Sequence, residues 1–124
     1  MKPSISVITL GVSDMERSTR FYRDGLGLPM RDDKPPVAYF RLDGAWIALF
    51  PRDALARYIG LDEPLSDGLA PVTLSCNVAS PENVDETMEE ARGAGARIVC
   101  EAKAFRWGGY AGWFADPDLS LIHI

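Results

Sequence analysis

Ile5–Leu28 reads ISVITLGVSDMERSTRFYRDGLGL, and it has the grammar of a strand, a capped helix and a glycine stop. Ile8, Leu10 and Val12 alternate with Val7, Thr9 and Gly11, so a strand over 5–12 presents one apolar face. Ser13 with Glu16 three residues on has the form of a capping box, which predicts a helix with Ser13 as its N-cap. Gly25 and Gly27 end it, and Gly25 can take the left-handed conformation that stops a helix. A second stretch, Val72–Val99, reads VTLSCNVASPENVDETMEEARGAGARIV and repeats the pattern. Val72, Leu74, Cys76 and Val78 share one strand face; Thr73, Ser75 and Asn77 share the other. Ser80 starts the second helix, with Pro81 at the first helical position, where a missing N–H costs little. Val84, Thr87, Met88 and Ala91 form one apolar stripe, and Gly93 and Gly95 end the helix. Self-similarity of this kind settles the architecture before any single element does. It predicts two copies of one β-α-β unit, with the function expected between the copies.

Residues 37–50, VAYFRL-DG-AWIALF, carry the clearest local signal. Asp43-Gly44 between two alternating runs predicts a two-residue type I′ hairpin. That register pairs Leu42 with Ala45, Arg41 with Trp46 and Tyr39 with Ala48. One face then holds Ala38, Phe40, Leu42, Ala45, Ile47 and Leu49, the core side. The other holds Val37, Tyr39, Arg41, Trp46, Ala48 and Phe50, a mixed aromatic face suited to a cavity wall. A slip of one residue exchanges the two faces. Residues 51–71, bounded by prolines, form a connector in which 52–61 is expected to make short helical turns. After the second helix the expected elements are a strand over 97–100, an aromatic loop over 103–110, a strand over 110–115, a turn at Asp116-Pro117-Asp118 and a last strand over 119–124.

At 124 residues the chain is expected to be a single domain, with module one at about 3–50, the connector at 51–71 and module two at about 72–124. The net charge of -5, with scattered basic residues, argues against nucleic acid or an anionic membrane as partner. No stretch reaches the apolar length of a membrane span, and the N-terminus lacks signal-peptide features. Two cysteines, Cys76 and Cys100, make neither a disulfide framework nor a metal spacing. They are expected to be reduced, buried, small hydrophobes in a cytoplasmic protein.

Three segments, TLGVSDMERSTRFYRDGLGL (9–28), NVASPENVDETMEEARGAGARIV (77–99) and WGGYAGWFADPD (107–118), occur in the order in which the vicinal oxygen chelate superfamily carries similar ones. The chain resembles that superfamily, which contains glyoxalase I, bleomycin-resistance proteins and extradiol dioxygenases. The resemblance implies an α+β fold of two βαβββ modules forming a curved mixed sheet around a cavity, helices outside, commonly as a homodimer. It also implies a divalent metal held at inward positions of the first and last strands of each module, which map here to Val7, Ala48, Thr73 and His123. Two of these are hydrocarbons, and a metal site wants three or four N, O or S donors. No metal or other cofactor is therefore expected. The resemblance further implies glycine after the DPD turn, where this chain has Leu119, and glutamate where it has His123.

The candidate ligand-binding residues are Thr9, Tyr39, Arg41, Trp46, Phe50, Ser75, Asn77, Trp107 and Tyr110. The aromatics would wall a pocket for a flat apolar ligand, and Thr9, Ser75 and Asn77 would supply neutral hydrogen bonds. Arg41, or Arg106 in the aromatic loop, would anchor an anion. Gly108 and Gly109 would let that loop close over the ligand. His123, the sole histidine, is a weak candidate for general base, and Cys76 a still weaker one for nucleophile. The reading that follows is metal-independent binding or sequestration of a small apolar molecule. The alternative is a lyase, isomerase or dioxygenase of the same superfamily whose site needs a native C-terminal strand.

Overall fold

The computed structural model describes residues 1, 6–31, 35–58 and 73–124, with 56, 58 and 73 described by their backbone alone. The chain is mixed α+β, and the described residues form two open sheets and three α-helices. It falls into two compact units, Met1–Asp67 and Gly68–Ile124.

The first unit comprises β1 (Val7–Val12), α1 (Met15–Arg20), β2 (Ala38–Phe40), β3 (Trp46–Pro51) and α2 (Arg52–Tyr58). Its sheet has the order β1-β3-β2, with β1 parallel and β2 antiparallel to β3. A single antiparallel bridge, Met30 to Phe40, adds the Pro29–Arg31 segment at the β2 edge. The second unit comprises β4 (Thr73–Ser75), α3 (Pro81–Gly93), β5 (Arg97–Ala104), β6 (Tyr110–Ala115) and β7 (Leu121–His123), in the order β4-β7-β6-β5. Here too the first strand lies parallel to the last, and the middle strands are antiparallel. The duplication in the sequence is thus a duplication of topology: 29–31 holds in the first unit the place that β5 holds in the second.

Several local expectations are corrected. Asp14, not Ser13, caps α1, and its carboxylate accepts the Arg17 N–H at 2.9 Å. Glu16 turns away from a reciprocal capping bond to pair with Arg20 one turn on, and Ser13 Oγ accepts the Arg17 guanidinium. The helix ends at Gly25, but not as a regular α-helix. It widens into a π-helical turn over Phe21–Gly25, closed by the Leu26 N–H on the Phe21 carbonyl, and the left-handed residue is Gly27 at φ 66°. At the hairpin the register is the expected one, with Tyr39 opposite Ala48 and Phe40 opposite Ile47. The tight turn is not: a type I′ turn needs positive φ at both central residues, and only Gly44 has it, at 103°. Asp43 stays out of that region, and the loop widens to 41–45. Strand β4 ends at Ser75, leaving Asn77 exposed beyond it. Cys76 is exposed, its N–H still on the His123 carbonyl of β7 at 2.9 Å, whereas Cys100 is half-buried at a bulge in β5. Strand β5 runs on to Ala104, past the expected end at Cys100. The connector's residues 59–72 lie outside the described residues, and no described helix is long and apolar enough to cross a membrane.

The core of each unit lies between helix and sheet. In the first, the Tyr22 ring meets Phe40 at 5.8 Å, beside buried Ile47 and Leu49. In the second, Val84, Met88 and Ala91 of α3 are buried with Phe114, Ile122 and Ile124. The Met88 thioether lies so close to Gly112 that an added Cβ would come within 2.6 Å of Sδ. The helix therefore sits on the face of β6 that carries Gly112 and Phe114.

Leu119 is the one non-glycine residue among those described with a positive φ, 66°. It follows the Asp116-Pro117-Asp118 turn, and its N–H reaches the Asp116 carbonyl at 2.9 Å. Relief of left-handed strain is worth about 1–2 kcal/mol, and the added flexibility of an unfolded glycine chain offsets about half of it. Leu119→Gly is expected to stabilise the protein by about 1 kcal/mol, read as a raised urea midpoint at unchanged slope.

Candidate functional site

Cross-strand partners stand side by side on one face of a sheet. In the first unit the row across the sheet is Thr9, Ala48, Tyr39, on the face turned away from the Phe40 and Tyr22 core. This row, with Val37 and Phe50, lines an open cavity of about 960 Å³, at the upper end of the size range of small-molecule pockets. Helix α2 forms its border through Ala54, Leu55 and Arg57.

The sequence-predicted residues separate into groups. Thr9, Tyr39 and Phe50 meet at this cavity. Trp46 is on the same strand face but outside the lining, with the Arg31 guanidinium 5.3 Å from its ring centroid, a cation–π contact. Arg41 is exposed, its N–H on the Pro29 carbonyl, and neither it nor Arg106 lines the cavity. The charged residue at its border is Arg57. No periodicity or motif in the connector pointed to that position, because its placement depends on how α2 packs against β1 and β3.

In the second unit the corresponding row is Ser75, His123, Trp113, Cys100, on the face away from α3. The His123 and Trp113 rings stack in parallel, 4.2 Å between centroids and 4° between planes. Ser75 Oγ is 3.4 Å from His123 Nδ1. Phe105 meets Trp113 edge-on at 5.4 Å and stacks on Trp107 at 5.9 Å, and the Lys103 ammonium lies 5.2 Å from the Phe105 centroid. Trp107, 66% exposed, ends this aromatic series. Its ring covers Gly109, and the Phe105 N–H bonds the Gly109 carbonyl at 2.8 Å. The loop expected to hinge at its glycines is a closed turn.

Tyr110 stands apart from this series. It shares the helix-side face of β6 with Gly112 and Phe114, and its hydroxyl donates to Asp85 Oδ1 of α3 at 2.8 Å. That bond to a carboxylate holds the phenol above its ordinary pKa. The hydroxyl ties strand to helix instead of walling a pocket. Trp113 and Phe105 are the aromatics that the sequence reading passed over. Trp113 was findable, since it occupies in the second repeat the row position that Tyr39 occupies in the first.

The donor chemistry of the two rows does not suit a divalent ion. The first offers the hydroxyls of Thr9 and Tyr39 on either side of a methyl group, and the second one imidazole, one hydroxyl and, beyond Trp113, the Cys100 thiol, so neither row by itself presents three or four strong donors to one point. Among the described residues no group of three or more His, Cys, Asp or Glu side chains converges to hold a metal.

The model of the Glyoxalase/Bleomycin resistance protein/Dioxygenase superfamily matches residues 4–124. The chain belongs to that superfamily. Within this glyoxalase superfamily, the uncharacterized protein YraH of Bacillus subtilis (strain 168) is 30% identical over 122 residues, 94% of this chain and 93% of its own. The metallothiol transferase FosB of Staphylococcus haemolyticus is 43% identical over 49 residues, covering 40% of this chain and 35% of FosB. Among solved structures, a glyoxalase-related enzyme from Fulvimarina pelagi superposes with a TM-score of 0.90 at 30% identity, over 98% of this chain and 86% of that one.

Proposed function

We propose that this glyoxalase-superfamily protein binds a flat, apolar small molecule in the cavity of its first unit, without a metal ion to hold the ligand. The observation that carries the reading is the Thr9–Ala48–Tyr39 row. At Ala48, one of the positions to which the resemblance assigns a metal ligand, the chain places a methyl group, flanked by the Thr9 hydroxyl and the Tyr39 ring. Such a wall rewards apolar surface, at about 25 cal/mol per Å² removed from water, and orients it with the hydroxyls of Thr9 and Tyr39.

The test uses the neutral fluorophore N-phenylnaphthylamine. It is expected to bind with enhanced emission, equally before and after dialysis against EDTA. Tyr39→Ala is expected to weaken it about tenfold, the loss of one aromatic wall worth about 1–2 kcal/mol. Binding that disappears on chelation and returns with zinc or manganese would overturn the reading.

A second reading, an enzyme of the lyase, isomerase or dioxygenase class, is favoured by one contact, His123 Nδ1 facing Ser75 Oγ. An imidazole so placed is suited to move a proton. It predicts turnover that is lost in His123→Ala while N-phenylnaphthylamine binding is kept; turnover unchanged in that variant sinks it.

A further inference from the structure

We infer that the cavity of the first unit selects anionic ligands, an apolar ring system ending in a carboxylate, and that Arg57 is the residue that selects them. The inference rests on the ligand-binding reading of that cavity and adds the ligand's charge. Among the described lining residues Arg57 alone carries a charge; the others are apolar or, at Thr9 and Tyr39, neutral hydroxyls. A single cation at the border of an otherwise apolar cavity fixes both the sign and the position of a ligand's polar end.

Arg57 is held loosely enough to serve. Its Nη2 lies 3.3 Å from Asp53 Oδ2 one turn back on α2, with side chains 71% and 76% exposed. Exposed i,i+4 pairs of this kind are weak and screened by salt. One contact to Asp53 also leaves the rest of the guanidinium fork for a second carboxylate, which it meets with two parallel hydrogen bonds. Asp53 opposes an incoming anion, but it is not part of the lining, whereas Arg57 is. A ligand carboxylate seated against the apolar wall is less screened than the exposed pair, so the guanidinium gains by the exchange.

The test compares naphthoate with naphthamide, isosteres that differ in charge, as competitors of N-phenylnaphthylamine. In the wild-type chain naphthoate is expected to bind about tenfold tighter than naphthamide, and in Arg57→Gln the two are expected to bind alike. The wild-type protein carries the same information with no substitution. Raising NaCl from about 0.05 to about 0.5 M is expected to weaken naphthoate and leave naphthamide as it was. Equal, salt-independent affinities in the wild type overturn the inference and leave the cavity reading standing. A preference that persists in Arg57→Gln overturns the assignment to Arg57. Failure of both compounds and of the fluorophore to bind overturns the cavity reading itself.

Discussion

Alanine at Phe40 is expected to remove about 3–5 kcal/mol of stability, while alanine at the adjacent Tyr39 costs far less and weakens ligand binding instead. Phe40 is fully buried against Tyr22 and opposite Ile47 in the sheet. Its truncation leaves a cavity that the π-helical turn carrying Phe21 and Tyr22 cannot fill without unwinding. Domains of this size are stable by only about 5–15 kcal/mol, so Phe40→Ala should remove a large fraction of the stability and lower the urea midpoint sharply. Phe40→Leu, which keeps most of the volume, should cost about 1.5 kcal/mol. The comparison tests the register directly. Neighbouring strand residues face opposite ways, so if Tyr39→Ala unfolds the protein and Phe40→Ala leaves it stable, the faces are reversed and the cavity assignment fails with them.

Removal of the Asp116 carboxylate is expected to cost about 2–4 kcal/mol, because two N–H groups lose one acceptor. Asp116 is 1% exposed, and its Oδ1 accepts the N–H groups of Asp118 at 2.9 Å and Ser120 at 2.7 Å. Asp118 is itself buried, so no water replaces the lost acceptor cheaply. The same turn holds Leu119 in its left-handed conformation and aims β7, whose His123 stacks on Trp113. Asp116→Ala should therefore lower the thermal midpoint and change the near-ultraviolet dichroism of the Trp113 ring. Asp116→Asn, which keeps an acceptor oxygen, should recover more than half of the stability. Combining Asp116→Ala with Leu119→Gly should give a cost smaller than the sum of the two separate effects, since a glycine no longer needs the turn to hold it. Strict additivity would show that the turn does not constrain residue 119.

What could be read from residues alone was whatever depends on near neighbours in the chain. The alternation in 37–50 fixed which side of the hairpin is core, and the Tyr39–Ala48 and Phe40–Ile47 pairs have the expected register. Ser80 caps α3 and Pro81 opens it, as the local chemistry requires. Where two residues compete for one local role, the structure selects by context: Asp14 rather than Ser13 caps α1, and of the two glycines that end the helix Gly27, not Gly25, is the left-handed one. Such choices differ by little locally, and packing of Phe21 and Tyr22 into the core decides between them. Trp113 was passed over because a tryptophan in an apolar strand reads as core until the helix-facing side of β6 is known, and that side is marked by Met88 over Gly112. Tyr110 was placed on a wall for the same reason. One residue of alternation separates the two faces, and Asp85, 25 positions earlier, takes its hydroxyl.

The sequence by itself determined the duplicated unit, the superfamily, the alternating faces and the hydrocarbon at the inward strand positions, because periodicity and residue type are local properties of the chain. Tertiary structure decided what those faces meet. It brought Thr9, Tyr39 and Phe50 to one cavity, gave that cavity its charge through Arg57 of α2, and set Ser75, His123 and Trp113 in one row across three strands. Long-range pairing and helix docking carry no short-range signature, so the contacts that give a site its chemistry become visible only when the chain is folded.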